Sequence, residues 1–513
     1  MSLLGLDVGT SGCKAVLFSQ DGRVIASAYE EYDTRSPQPG WAELDAAAIW
    51  QIVKGVIRRA AAGALSDPLR ALAVASMGEA LVPVSRDRQV LGPSLLNFDA
   101  RGAEYLQTLA AQIEPERLYD INGNSLGNQY SLTKLLWIRE HQPQLYASSY
   151  KFLPWSAFIA YMLGAEAVLD YTLANRTLLF DLEHGTWSGE LLERIGLSDE
   201  KLPDLAPSGT AIGTVADSLA DELGLPHGVV IVSGAHDQAA NAVGSGVIEP
   251  GQAFYGMGSY HCITPVVAER RPAQPMLVRG LSTEHHAVPG RYLTFIYNHG
   301  GTVVKWFRDT FAGSEQREAR RRGEPLYPQL LQEMPDGLSS ILALPTFAPT
   351  GTPDFRTDTC GLLVGLHLDT GRGDILRGIL EGVAFYLKQT VDALPGVGIA
   401  IDAYRVVGGG SRSDSWVQLS ADLFGRPFAR PAVTEAGALG SAILAGVGSG
   451  LYPDCATGVQ AMVRLERTFE PDLARHRLYQ ERGEQYRTLA GLTDDYLAGL
   501  HRSLHSAGAD QGN

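Results

Sequence analysis

The chain has 513 residues, of which 45% are hydrophobic and 19% charged, the composition of a globular protein too long for one hydrophobic core. Its formal net charge of −15 and pI near 5.3 disfavour a nucleic-acid partner, because an acidic surface repels polyanions. The four cysteines lie far apart without CxxC spacing, no run of 18 apolar residues could span a membrane and no signal peptide opens the chain, so we expect a cytoplasmic protein of at least two domains.

The N-terminal residues predict a β-hairpin followed by a third strand. Strands are expected over 3–7, 14–19 and 24–29, with turns at 9–12 and 21–22. The first turn consists of Gly, Thr and Ser, so it exposes backbone N–H groups and hydroxyls of the kind that bind a polyphosphate, and Lys14 adds a positive charge. Asp7, at the end of the first strand, is a candidate to hold Mg²⁺ through water, and a turn-forming Asp is the alternative.

A second candidate carboxylate lies between two short strands. A helix over 45–62 precedes strands over 71–76 and 81–84, and Glu79 lies in the turn that joins these strands. A carboxylate there accepts hydrogen bonds from vicinal hydroxyls, or it is simply a solvated turn residue. Asp99 follows, and it is either a ligand-binding residue or the N-cap of a helix that starts near Gly102.

Residues 102–200 are predicted to be mainly helical. They contain the G-x-S-x-G sequence at 123–127, which is typical of a hydrolase nucleophile. No apolar strand precedes this sequence, so the strained strand-to-helix turn that such a nucleophile needs is not expected here.

The stretch from residue 229 to residue 246 predicts a buried strand that leads directly into a helix of small residues. Asp237 lies at the junction, where an open α/β sheet presents side chains to a crevice near free backbone N–H groups. It is either a catalytic carboxylate or an N-cap residue.

The first hairpin pattern then returns, which predicts two related halves. A strand over 253–255 enters a Gly-Met-Gly-Ser turn at 256–259, and a second strand follows over 260–267. Gly300 and Gly301 open a helix that carries Trp306 and Phe307, so a further Gly turn is expected at a helix N-terminus, which favours anions. His299, just before it, is interpreted as a capping residue.

The C-terminal part continues this pattern. A charged surface helix or loop is expected over 314–324, and a strand over 404–407 ends in three glycines before a helix through Asp414. Bare glycine backbone allows the flat face of a base to lie against it. The helix over 435–450 is rich in small residues, so close packing is expected, and the tail 506–513 is expected to be disordered.

Four segments, in this order, resemble the FGGY carbohydrate kinases: DVGTSG at 7–12, GAHDQAA at 234–240, GGGSRSD at 408–414 and EAGALG at 435–440. NRTLLF at 175–180 and GVAF at 382–385 extend a resemblance that spans about residues 3–470. It implies an α/β fold of two ribonuclease H-like domains, 1–246 and 247–505, of the actin and hexokinase type, which close a catalytic cleft on ATP, magnesium and a small sugar or polyol. It also allows for a homodimer.

The resemblance assigns roles residue by residue. Asp237 becomes the base that takes a proton from the attacking hydroxyl, and Asp7 together with Asp237 holds Mg²⁺ through water. The acceptor-binding set is Met77, Gly78, Glu79, Asp99, Gln129, Tyr130 and Gln238. The ATP-binding set is Thr10, Ser11, Gly12, Lys14, Gly256, Met257, Gly258, Gly300, Gly301, Gly409, Gly410 and Asp414. Met257 departs from the family, which has a hydroxyl residue there, so a phosphate contact would rest on the backbone.

The resemblance does not identify the acceptor. Xylulokinases carry Met-His where this chain has Gly78 and Glu79, and glycerol kinases carry Arg-Glu. The segments around Met77, Glu79 and 97–101 look most like those of autoinducer-2 kinases and some polyol kinases, and Gln238 matches glycerol kinases.

Two other classes of protein are alternatives. One is an actin- or Hsp70-like nucleotide switch, which binds ATP without sugar chemistry. The other is a sugar sensor derived from a kinase, which is expected to have lost Asp237. Because Glu79, Asp99 and Asp237 occur together, the sequence favours the kinase.

Overall fold

The computed structural model describes residues 1–63 and 67–509. The strands of the first half are β1 Ser2–Val8, β2 Gly12–Ser19, β3 Val24–Glu31, β4 Glu43–Leu44, β5 Leu69–Ser76, β6 Leu81–Val84, β7 Ser94–Leu95, β8 Lys151–Pro154, β9 Val168–Asp170, β10 Phe180–Asp181, β11 Thr186–Trp187, β12 Asp204–Ala206, β13 Ala211–Thr214 and β14 Val230–His236. Its helices are α1 Ala46–Ala61, α2 Leu106–Gln112, α3 Pro115–Asn122, α4 Ser131–His141, α5 Pro143–Ser148, α6 Trp155–Leu163, α7 Tyr171–Asn175, α8 Gly189–Ile195, α9 Asp217–Leu223 and α10 Asp237–Ser245.

The strands of the second half are β15 Gly251–Met257, β16 Tyr260–Val267, β17 Glu284–His285, β18 Tyr292–Leu293, β19 Ile296–His299, β20 Leu342–Leu344, β21 Leu362–Val364, β22 Ile401–Val407, β23 Phe428–Pro431 and β24 Leu465–Phe469. Its helices are α11 Ala273–Leu277, α12 Gly301–Phe311, α13 Gly313–Arg322, α14 Tyr327–Gln332, α15 Arg372–Ala393, α16 Asp414–Phe424, α17 Ala436–Gly448, α18 Cys455–Met462 and α19 Leu473–Ala509.

The first sheet has the strand order β13-β14-β5-β1-β2-β3. Its central strands β14, β5 and β1 are parallel, and β2, β3 and β13 are antiparallel to their neighbours. The central strands are apolar along most of their length because helices cover both faces. Leu4 and Leu6 enter one core with α1 and α6, while Leu3 enters another with α10 and α17.

The second sheet repeats this arrangement. Strands β15, β22 and β23 are parallel, β16 and β24 flank them in antiparallel orientation, and β19 pairs with β16 as β3 pairs with β2. The predicted repetition of the N-terminal hairpin is therefore confirmed. Each half has the mixed five-strand pattern expected of a ribonuclease H-like domain, and the α/β fold of two such domains is confirmed.

Helices α10 and α17 join the halves. Although α17 follows a strand of the second sheet, it packs against β1, β5 and β14 of the first sheet and along α10. A Cβ at Gly440 would overlap the carbonyl oxygen of Ala240, and one at Gly244 would overlap that of Ala436, so the backbones touch. The predicted boundary at residue 246 falls between α10 and β15. Helix α17 lies after this boundary in the sequence but packs against the sheet of the first half.

Several local expectations differ from the structure. The 102–200 block contains strands β8 to β11 besides its helices. The G-x-S-x-G sequence begins at Gly123, directly after helix α3, so the strand-to-helix geometry is missing there, as predicted. Helix α19 includes residues 506–509 of the predicted disordered tail, and residues 510–513 lie outside the described residues.

Candidate active site

Asp237 is the first residue of helix α10, immediately after strand β14. The N-cap position belongs to His236, so the interpretation of Asp237 as the N-cap is wrong. Its Oδ1 accepts a hydrogen bond from Gln238 Nε2 at 3.1 Å and lies 3.2 Å from His236 Nε2. The Asp237 side chain is 28% exposed, so it is available to a molecule in the cleft.

The surroundings of Asp237 favour its protonated form. Burial and the negative charge of Asp7 raise its pKa to about 7, a smaller contribution from Glu79 acts in the same direction, and the Gln238 hydrogen bond opposes it. The pKa of His236 is held well below its usual value by burial and by Arg176, so this imidazole is neutral at pH 7. A carboxylate with a pKa near 7 is suited to general base catalysis.

Asp7 lies on β1 next to Asp237 and to the start of α17. Burial raises the pKa of Asp7 to about 6, and Lys14, its cross-strand partner, opposes this. A Cβ at Gly437 would lie 2.7 Å from Asp7 Oδ2, so glycine lets the helix approach this carboxylate. Two carboxylates are hard oxygen donors of the kind that Mg²⁺ prefers, and this ion keeps most of its hydration shell. The described part of the chain holds no group of three or more His, Cys, Asp or Glu side chains suited to a metal ion.

Glu79, Arg176 and Glu284 form a buried charged cluster beside Asp237. Arg176 Nε donates to Glu79 Oε1 at 2.7 Å, its Nη2 pairs with the same oxygen, and its Nη1 pairs with Glu284 Oε1. Glu79 and Glu284 are 5% and 1% exposed, respectively. Glu79 has a φ of +64°, a left-handed conformation that is strained for this residue type. The turn is thus held in an unfavourable conformation in which Glu79 faces Arg176.

Aromatic rings and close-packed side chains surround this charged cluster and form, with it, the wall of the candidate acceptor pocket. The guanidinium carbon of Arg176 lies 5.0 Å from the ring centre of Tyr130 and 5.8 Å from that of Phe295. A Cβ at Gly78 would lie 3.2 Å from His236 Nε2 and 3.3 Å from Arg176 Cγ. Gly78 therefore leaves space that the Arg176 and His236 side chains fill.

Other residues of the predicted acceptor-binding set are distributed unevenly. Tyr130 lines the pocket, Gln238 contacts Asp237, and Gln129 lies in the loop before α4. Met77 is 5% exposed and packs in the core of the first half.

Asp99 has a structural role that the sequence did not predict. Its Oδ1 accepts from Arg101 N at 2.8 Å and Oδ2 accepts from Ala42 N at 2.6 Å, while the Arg101 guanidinium bonds both oxygens. Burial acts to raise the pKa of Asp99, but these hydrogen bonds outweigh it and lower the pKa. The predicted acceptor contact of Asp99 is therefore not supported. The N-cap alternative is wrong, because Gly102 is the N-cap of the next helical turn.

The first phosphate-like turn is built as expected. Gly9 N donates to Gly12 O at 3.0 Å, and Tyr32 Oη donates to the carbonyl oxygens of Gly9 and Gly12. Thr10 is partly exposed and Ser11 is exposed between them. Lys14 Nζ lies 3.2 Å from Glu435 Oε1, so a carboxylate from the start of α17 holds the lysine at this turn.

The second turn differs from the prediction at Gly300 and Gly301. Their N–H groups donate to Ser259 O at 3.1 Å and Gly258 O at 3.0 Å, so they are not free to bind an anion. The glycines are needed because a Cβ at either position would overlap His261 or Gly258. They fix helix α12 against the hairpin turn at Gly258 and Ser259, whereas Gly256 and Met257 of the predicted turn belong to strand β15. The interpretation of His299 as a capping residue is wrong, because Gly300 is the N-cap of α12 and no side chain caps this helix; His299 Nδ1 lies 3.0 Å from the Thr302 side-chain Oγ1 instead.

Met257 and the three glycines form a continuous backbone surface. Met257 is 2% exposed, and its Cβ lies 3.0 Å from the position a Cβ would take at Gly410. A Cβ at Gly409 would have no neighbour within 4 Å, so this backbone borders open space. Asp414 is paired with Arg430 at 2.8 Å and also with Arg467, so an adenosine contact there would compete with two arginines.

Sequence reasoning missed Arg176, Glu284 and His236. Arg176 lies inside the NRTLLF segment, and His236 precedes Asp237, so both were within motifs that the sequence analysis quoted. Glu284 is one acid in a segment without a motif, and no sequence signal linked it to a residue 108 positions away.

Comparisons with known proteins identify the two domains of the chain. The model of the FGGY family of carbohydrate kinases, N-terminal domain, matches residues 2–244, and the C-terminal domain model matches residues 264–449. An autoinducer-2 kinase from Escherichia coli is 30% identical over 528 residues, which cover 98% of this chain and 97% of that protein. A xylulose kinase from Staphylococcus epidermidis is 27% identical and covers 97% of this chain and 98% of its own.

A solved structure has the same architecture. The crystal structure of xylulose kinase from Rhodospirillum rubrum has 27% sequence identity and a TM-score of 0.85, and the match covers 97% of this chain and all of that one. Within residues 1–63 and 67–509, no helix is both long and apolar enough to cross a membrane. From the two matched domains, we conclude that the chain belongs to the FGGY family of carbohydrate kinases, which phosphorylate sugars or polyols with ATP.

Proposed function

We propose that this enzyme transfers the γ-phosphoryl group of ATP to a hydroxyl of a small sugar or polyol, with Asp237 as the general base. The observation that carries the proposal is the position of Asp237 at the strand-to-helix junction, partly exposed, with a pKa of about 7 and with Glu79 nearby. Phosphoryl transfer depends mainly on positioning and charge stabilisation, and one carboxylate suffices to orient the hydroxyl and accept its proton.

Glu79 and Arg176 are proposed to orient the acceptor. Glu79 Oε1 is occupied by Arg176, while Oε2 accepts no hydrogen bond from the described residues. A sugar hydroxyl can donate to this second oxygen. The Tyr130 and Phe295 rings beside Arg176 offer an apolar face for the carbon skeleton.

Asp7 and Asp237 are proposed to hold Mg²⁺ through water. The repulsion between the two carboxylates contributes to the raised pKa of Asp237. A divalent cation bound between them would reduce this repulsion. When bound, the cation neutralises charge on the β- and γ-phosphates. The turn at Thr10, Ser11 and Gly12, with Lys14, is proposed to face these phosphates. Because ATP is the donor, we also propose a cytoplasmic location.

A panel of candidate acceptors is needed to identify the sugar or polyol that this enzyme phosphorylates. The named relatives are autoinducer-2 kinases and xylulose kinases, so these two acceptors head a panel of ketoses, alditols and glycerol. ADP production is measured with a coupled assay, with and without each acceptor. We expect at least one acceptor to raise ADP production well above the acceptor-free rate. If none of them does so, while ATP binds, the proposal is overturned in favour of an inactive sugar sensor.

A further inference from the structure

We propose that Glu284, acting through Arg176, restricts the acceptor site to neutral polyhydroxy compounds and excludes acceptors that carry a carboxylate. The inference rests on the proposed function and defines the substrate class more narrowly. It concerns a residue from the second half of the chain, which is brought into the pocket of the first half.

Arg176 is the cation to which the carboxylate of an anionic acceptor would be expected to bind. An exposed guanidinium binds a carboxylate through a pair of parallel N–H groups. Here all three nitrogens of Arg176 already donate to carboxylate oxygens: Nε and Nη2 to Glu79, and Nη1 to Glu284. A third carboxylate at this guanidinium would add a negative charge without a cation to balance it.

The charges around the pocket also disfavour an acceptor that carries a carboxylate. Arg176 keeps its positive charge, because Glu284 and Glu79 hold its pKa far above any physiological pH despite its burial. His236 is neutral, so it offers no second cation. Two carboxylates, Glu79 and Glu284, share this single positive charge, so the buried cluster carries one excess negative charge. Among the described residues, Arg176 is the one Lys or Arg that forms an ion pair with Glu79 or Glu284.

Glu284 does not face the acceptor directly. Its side chain is 1% exposed, whereas Arg176 is 13% exposed, so Glu284 acts as a positioning and charge-balancing residue. Thr283 and His285, its neighbours, bond to the first half: Thr283 N donates to Gly123 O at 2.7 Å and His285 N donates to Asn175 Oδ1 at 3.0 Å. The backbone on both sides thus holds Glu284 against Arg176.

The first test uses the wild-type enzyme and matched acceptors. Each pair consists of an alditol and the aldonate with the same carbon chain, so that one CH₂OH group is replaced by a carboxylate. Assays at pH 8 keep Glu284 ionised, since burial raises its pKa to about 7. We expect kcat/KM for the alditol, or for the ketose of that chain length, to exceed that for the aldonate by at least about 100-fold, from repulsion among several charges.

The second test removes the charge of Glu284. Glu284→Gln frees one side of Arg176 and is expected to raise kcat/KM for the aldonate by about 10-fold, mainly through a lower KM. Glu284→Asp retains the charge and is expected to retain the discrimination. Glu183→Gln is the matched control, because Glu183 pairs with Arg270 at 3.3 Å on the surface and is 71% exposed.

The outcomes separate this inference from the proposed function. A wild-type enzyme that phosphorylates the aldonate as well as the alditol overturns the inference and leaves the kinase intact, whether or not Glu284→Gln folds. A folded Glu284→Gln enzyme with unchanged discrimination also overturns the role of Glu284. An enzyme that phosphorylates no acceptor of either type overturns the proposed function instead.

Discussion

At the scale of single residues, the site depends on carboxylates that are buried to different extents and have different partners. The negative charge of Asp7 raises the pKa of Asp237. Glu79 forms an ion pair with Arg176, and Asp99 forms one with Arg101. The same side-chain chemistry therefore forms a structural clamp at Asp99 and is proposed to serve as proton acceptor at Asp237 and as acceptor ligand at Glu79. Each role depends on the partner that the fold supplies.

Asp237→Asn tests the base directly. The amide keeps the size of the side chain but cannot accept a proton, so kcat is expected to fall by about 10²–10⁴-fold, the range typical of general acid–base groups. ATP affinity and melting temperature, measured on the same preparation, should stay close to those of the wild type. A fully active Asp237→Asn enzyme would contradict the assignment.

The rate is expected to depend on pH through Asp237. Its pKa is raised to about 7 without a metal, and a bound cation lowers it, so kcat/KM is expected to decline as the pH falls from about 7 to about 5. An Asp with an ordinary pKa near 3.9 would keep the profile flat down to about pH 5. The measurement is kcat/KM for the acceptor from pH 5 to 9 at fixed ionic strength and fixed Mg²⁺, and a flat profile would refute the prediction.

Glu79→Gln is expected to raise the KM for the acceptor and to leave nucleotide affinity nearly unchanged. Because the negative charge of Glu79 also raises the pKa of Asp237, the acid side of the pH profile should move to lower pH in this variant. Both parameters come from initial rates with ATP and acceptor varied in turn. A large change in ATP affinity with an unchanged acceptor KM would place Glu79 elsewhere.

At the scale of elements, the junction of α10 and α17 positions the two candidate catalytic carboxylates, Asp237 and Asp7. Helix α10 begins with Asp237, and α17 begins beside Asp7. The close packing of these two helices therefore determines the distance between the two carboxylates. Glycines at the contact allow the two backbones to touch.

Gly440→Ala is expected to destabilise the protein. The added methyl group would overlap the carbonyl oxygen of Ala240, and overpacking of this kind costs about 1–3 kcal/mol or more, which exceeds the helix propensity gained. The melting temperature should fall by several degrees. Gly491→Ala in α19 is the matched control, since its Cβ would meet nothing within 4 Å, and it should leave the melting temperature equal or higher. Equal melting temperatures for the two variants would contradict the packing argument.

At the scale of the whole molecule, two sheets of the same topology lie on either side of the α10–α17 junction. The turn of the first hairpin and the Gly409 region belong to different halves, so a nucleotide that contacts both would span the cleft. Membership of the FGGY family decides for a kinase over a nucleotide switch, whereas a homodimer stays a prediction.

Closure of the cleft is expected when both ligands bind. Small-angle scattering with a non-hydrolysable ATP analogue and an acceptor should give a smaller radius of gyration than the free enzyme. The analogue alone and the acceptor alone are the controls. An unchanged radius with both ligands bound would argue against domain closure.

Local patterns in the sequence were sufficient for the elements that bear the chemistry. The hairpins, the strand-to-helix junction at Asp237 and the repetition of the two halves follow from β-branched runs, Gly turns and small-residue helices, which act over a few residues. The family resemblance then supplied the reaction class, and the matched domains confirmed it.

Only the tertiary structure decided which side chains meet. The Arg176–Glu284 pair, the clamp between Asp99 and Arg101, and the use of the Gly300 and Gly301 N–H groups by the hairpin turn all depend on packing between segments. A residue type and its local conformation follow from neighbours in the chain, but whether a carboxylate is free, paired or buried depends on groups that the fold brings from far away. For this reason the sequence by itself determined the fold class and predicted a candidate base, and the tertiary structure decided which charged groups surround that candidate.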